Sequence, residues 1–97
     1  MTESILVEII RSCLEMDRMA EDAYLRLAAG EAGPELAAFW QAMAVEEKGH
    51  VAFWEALLDF ARQGRLPDLF ADPVSTLEAL AVTAREVRGL LSRADHP

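Results

Sequence analysis

GEAGPELAAFWQAMAVEEKGHVAFWEALLDFA, residues 30–61, opens on a turn signal and then holds a helical period to its end. Alternating steps of four and three collect Leu36, Trp40, Met43, Glu47, His50, Trp54, Leu57 and Ala61 on one seam, where only Glu47 and His50 are polar. Upstream, the same period collects Leu6, Ile10, Cys13, Asp17, Ala20, Tyr24 and Leu27, so the first helix also carries an acid in an otherwise largely apolar seam. Between the two, Gly30 is suited to close one helix and Pro34 to open the next. The spacing predicts an antiparallel hairpin. Asp17 precedes the turn by about as many residues as Glu47 follows it. At about 1.5 Å per residue both lie roughly 20 Å from the turn, at one level of the hairpin.

Helices are expected over about residues 3–29, 34–63 and 74–92, with Gly64 as a stop for the second. Leu66, Pro67, Leu69 and Phe70 form a connector that should pack back on the hairpin. Asp72-Pro73 offers a cap and first position for the third helix, and Ser75 with Glu78 an alternative capping box. The third helix has an apolar stripe (Leu77, Leu80, Ala81, Ala84, Val87, Leu90 and Leu91) and no acid or histidine within it, so its expected role is packing. The fold class is all-α, a single domain over residues 1–97.

At 97 residues and 53% hydrophobic content, the chain has more apolar surface than a lone hairpin can hide, which predicts self-association. A net charge of −8 argues against a nucleic-acid or anionic-membrane surface. Cys13 is the only cysteine and forms no internal disulfide; a small buried side chain is its simplest reading. Glu3 and Glu8 interrupt the apolar run at Met1 to Ile10, which has no basic leader, so neither a signal peptide nor a membrane span is expected, and the expected location is cytoplasmic or, as cargo, within an internal compartment.

Burying an unpaired carboxylate costs several kcal/mol, so two acids converging on one level of a bundle require a cation. Neither seam holds a Lys or Arg, which favours a metal. Positions i and i+3 share a helix face, so Glu47 and His50 can grip one ion through an oxygen and a nitrogen, a donor set that suits iron, manganese or zinc. Di-iron bundles use two helices bearing Glu-x-x-His and two bearing a single acid. One chain supplies half of that set, and a two-fold dimer would supply paired Asp17, Glu47 and His50. Tyr24 is either a hydrogen-bond donor to a ligating carboxylate or a core tyrosine. Trp40, Trp54, Phe39 and Phe53 read as core and interface anchors, and Met16, Met19 and Met43 as flexible apolar packing. Glu46 is expected on a solvated or subunit-facing side and His96 in the tail. Gly49 inside a helix suggests the close approach of another helix.

Asp17 seven residues before Tyr24, followed after the turn by Glu47-Lys48-Gly49-His50, resembles the pattern of the ferritin and rubrerythrin superfamily. The run from Pro34-Glu35-Leu36 to Glu46-Glu47-Lys48-Gly49-His50, in a short chain with one such motif, is most similar to the encapsulated ferritins. Those proteins carry half a ferritin bundle per chain and assemble a ferroxidase site between subunits. The resemblance covers about Leu14 to Trp54. It implies a ferritin-like four-helix bundle formed by a dimer or a multiple of dimers. It further implies a di-iron centre that oxidises Fe(II) with oxygen or peroxide, bridged by Glu47 and held terminally by His50 and Asp17, with no catalytic residue beyond these ligands. Two departures stand out. The first-helix ligand is Asp17 where the family has Glu, with Glu21 one turn later as the fallback. Arg93 to Pro97 is unlike the apolar tail that addresses cargo to an encapsulin shell, so residence in a shell is not expected. Two other readings compete: a metal-free oligomeric helical scaffold whose buried polar residues fix helix pairing, and a metal-binding protein without turnover.

Overall fold

The computed structural model describes residues 4–94, which form three helices, α1 (Ile5–Gly30), α2 (Pro34–Arg62) and α3 (Pro73–Ala94), with no strand among them. The expected start at Glu3 and the tail residue His96 lie outside the described residues. Each helix end has a local cause. Ser4 caps α1, its hydroxyl oxygen accepting from the Val7 N–H at 3.2 Å. The turn is closed by Glu31, whose carboxylate accepts from the Gly33 N–H at 2.9 Å, and Pro34 then opens α2. Gly30 is the last residue of α1, the expected close of that helix, but it ends the helix in helical backbone without a left-handed residue. The left-handed stop is at the end of α2, at Gly64, with φ +69°. There the Arg65 N–H donates to the Phe60 carbonyl and the Gly64 N–H to the Ala61 carbonyl, both at 3.0 Å, closing α2 in a Schellman arrangement. The Arg65 guanidinium lies over the Phe60 ring, 5.4 Å from its centroid. For α3, Asp72 is the cap: its carboxylate accepts from the Ser75 N–H at 3.2 Å, and these hydrogen bonds to Ser75 hold its pKa below the ordinary range.

Both α2 and α3 pack on α1 and not on each other. Val7, Ile10 and Leu14 of α1 and Val51 and Leu58 of α2 form the buried cluster, with Leu66 of the connector packed against it. Ile9 is as deeply buried as Ile10 but lies outside that cluster. This core is rotated from the expected seams. The fully buried positions of α2 are Ala44, Val51 and Leu58, each one residue after Met43, His50 and Leu57. Trp40, Glu47, Trp54 and Ala61 are half-buried flanks, while Leu36 and His50 are exposed. A helix facing a single neighbour buries one narrow stripe, and the seam residues lie on its rim. Phe39 and Phe53, further round α2, are 51% and 58% exposed. No helix among the described residues is long and apolar enough to cross a membrane.

Candidate metal centre

Asp17, on α1, meets Glu47 and His50, on α2, where the hairpin register brings them to one level. One potential ligand atom from each lies within 4.8 Å of the others. Glu47 is the buried member, its side chain 14% exposed, and His50 the open one at 58%. The Glu47 Oε1 lies 3.1 Å from His50 Nδ1, as i and i+3 on one helix face allow. Its other oxygen, Oε2, is buried and has no hydrogen-bond partner.

Electrostatics follow from that placement. Burial, first, and then a hydrogen bond shared with Asp17 raise the Glu47 pKa, and His50 only partly offsets them. Two ionised carboxylates offer each other no proton, so Oε2 is orphaned whenever both are charged. The donor set, two carboxylate oxygens and an imidazole nitrogen around an orphaned buried acceptor, fits a divalent first-row metal. Glu21, the fallback ligand, lies outside the group.

The surroundings depart from the sequence reading in three places, Trp54, Cys13 and Gly49, and choose between the two readings of Tyr24. Trp54, expected only as an apolar anchor, donates its indole N–H to Asp17 Oδ2 at 2.6 Å. Its position on the Glu47 seam was the available signal, because a half-buried indole N–H must find an acceptor. Tyr24 stacks on Trp40, ring centroids 5.8 Å apart, so its ring belongs to the packing above the site. Cys13 is half-buried, not buried, its thiol pKa raised by desolvation and then by the charge of Asp17. Gly49 is exposed, and a Cβ there would meet nothing within 4 Å, so no helix of the same chain approaches it. Glu46 is exposed, as expected.

The opposite groove of the hairpin has the reverse character. Arg11, Arg18 and Arg62 there alternate with Glu15, Glu55 and Asp59 over Leu14 and Leu58. Arg18 pairs with Glu55 at 3.8 Å, and Arg88 of α3 reaches Glu15 at 3.9 Å. One groove is thus charged and balanced by cations, while the other is apolar with an acid pair and a histidine. No family model, curated protein or solved structure matches the chain.

Proposed function

We propose that two copies of this chain pack hairpin against hairpin as a ferritin-like four-helix bundle, and that paired Asp17, Glu47 and His50 bind two iron ions and support Fe(II) oxidation. The observation that carries this reading is the buried Glu47 Oε2, which has no partner beside a second acid. A divalent cation is the partner that would satisfy it. The apolar flanks of the same groove, Leu36, Trp40 and Met43 above and Trp54 and Leu57 below, support a second copy as its cover. Asp17 and Glu47 would hold the ions through oxygen and His50 through a ring nitrogen, with Glu47 placed to join the two halves. Bound iron supplies the redox chemistry: two Fe(II) each give one electron, while oxygen with two protons becomes hydrogen peroxide, or peroxide with two protons becomes two waters. Manganese or zinc would fit the same donors without that turnover.

A metal-free scaffold is the second reading. It is favoured by the contacts that already engage the site, His50 on Glu47 at 3.1 Å and Trp54 on Asp17 at 2.6 Å. Elemental analysis separates the two, on protein loaded anaerobically with Fe(II), desalted and sized as the same sample. The expected result is about one iron per chain in a dimer or a multiple of dimers, lost in Glu47→Ala and His50→Ala. A stable oligomer that retains no metal would instead establish the scaffold.

A further inference from the structure

Among the described residues, the hydrogen bond from Trp54 to Asp17 is the one that an expected ligand receives from a residue of the other helix outside the ligand set. We propose that Trp54 is a positioning residue, whose indole N–H holds the Asp17 carboxylate in the groove with its second oxygen free for the metal. This rests on the metal-centre reading above and assigns to Trp54 a task beyond packing.

The register explains why the two meet. Helical side chains lean toward the N-terminus of their own helix. In an antiparallel hairpin, Asp17 therefore leans away from the turn while Trp54 leans toward it. The long indole, seven residues after Glu47, so reaches back to the level of the acids. The ring has a fixed direction. It packs against the buried cluster of Val7, Ile10, Leu14, Val51 and Leu58, and Phe53 meets it edge-on with centroids 5.3 Å apart. An Nε1–Oδ2 distance of 2.6 Å from such a clamped ring pins one oxygen of a short side chain.

The chemistry of the donor suits this task. An indole nitrogen is a donor only, so it engages the carboxylate without competing for the metal, as a phenol or imidazole could. Asp is one methylene shorter than Glu, and a pinned carboxylate loses less rotational freedom on binding. Hydrogen bonds to ligating carboxylates typically contribute about 10–100-fold to metal affinity.

Co(II) titration followed by visible absorption tests the proposal on the full chain, comparing wild type, Trp54→Phe and Trp40→Phe. Phenylalanine keeps a ring in the core but removes the N–H. The expected result is Co(II) binding weakened about 10-fold in Trp54→Phe, with an altered visible spectrum, and unchanged within about 2-fold in Trp40→Phe. Equal affinity and spectrum in Trp54→Phe and wild type would overturn the positioning role while leaving the metal centre standing. Failure of the wild type itself to bind Co(II) would remove the metal reading and this proposal with it. The metal-free protein gives a second readout that does not depend on Trp54→Phe folding. Of the two indole N–H resonances, that of Trp54 is expected downfield and slow to exchange, and to lose both properties in Asp17→Ala while that of Trp40 stays in place. An indole signal of Trp54 indifferent to Asp17→Ala would overturn the contact on which the proposal stands.

Discussion

Replacing Glu47 by Gln should make the metal-free protein more stable and the metal-exposed protein less so. The substitution keeps the shape of the side chain but removes its charge. In the wild type, Oε2 is buried without a donor and faces the carboxylate of Asp17. Glutamine turns that facing pair into a donor and an acceptor, since its amide can donate to Asp17 while its oxygen still accepts from His50. Leaving a buried acceptor unsatisfied costs about 1–3 kcal/mol, and the lower end applies where water reaches the groove from the open His50 side. A gain of about 1 kcal/mol corresponds to a rise in Tm of roughly 4–8 °C for a domain of this size. The sign of the pH dependence is fixed by the raised Glu47 pKa. Over the range from the ordinary glutamate titration up to the raised one, the folded chain holds a proton that the unfolded chain releases. The wild type therefore loses stability as pH rises through that range, and the glutamine variant does not lose this increment. Below it the two proteins should converge.

Thermal melts by circular dichroism, at one protein concentration and with chelator present, measure the effect at pH 5 and pH 7. Repeating them with excess Co(II) should raise the wild-type Tm and leave that of Glu47→Gln in place, since a ligand stabilises only the fold that binds it. A variant less stable than wild type in chelator at pH 7 would refute the reasoning. It would mean that the ionised Glu47 is a net stabiliser through His50, which is what the scaffold reading requires.

Two further predictions concern the frame that holds the site. Ile10, 1% exposed at the centre of the α1–α2 contact, should cost about 2–5 kcal/mol when cut to Ala, read as a lower urea midpoint with an unchanged slope; a loss under about 1 kcal/mol would misplace the core. Gly64→Ala forces a Cβ into a left-handed backbone and should cost about 1 kcal/mol in the same assay, whereas Gly30→Ala, in ordinary helical backbone, should cost nothing or stabilise. Equal costs at the two glycines would contradict the helix stops described above.

Punctuation made the helices legible. Pro34 and Gly64 act through their own backbone and Asp72 through a carboxylate that caps the adjacent turn, so their consequences are local and do not depend on the remainder of the fold. Gly30 ends α1 as expected but without a left-handed backbone, because a glycine at a helix end permits such a stop without requiring it, and the side chain of Glu31 completes the turn. The meeting of Asp17 with Glu47 and His50 was legible for a related reason, since equal distances from one tight turn fix the level of two helices. The Trp54 contact was not, because it depends on the lean of two side chains in opposite directions and on a register offset that counting from the turn does not supply.

The rotation of the core away from the expected seams bears on function. A strict alternation of four and three describes a seam turned toward one partner, yet α1, the one helix that packs on α2, meets the flank of that seam and not its centre. The stripe that α1 buries is Ala44, Val51 and Leu58, and the seam that includes Glu47, His50 and Trp54 lies beside it, with Phe39 and Phe53 beyond. The apolar arc of α2 is thus wider than one partner can use. Water does not account for that width, because an apolar arc has no use for solvent, and the paired charges of the Arg18–Glu55 groove demonstrate what a water-facing side of this hairpin looks like. The excess arc lies on the side where Asp17 and Glu47 converge and where the orphaned oxygen lies. On the proposed reading surface and site are therefore answered together: a second copy of the hairpin bearing its own Asp17, Glu47 and His50 would supply an apolar cover for the groove while doubling the ligands for a cation between its acids.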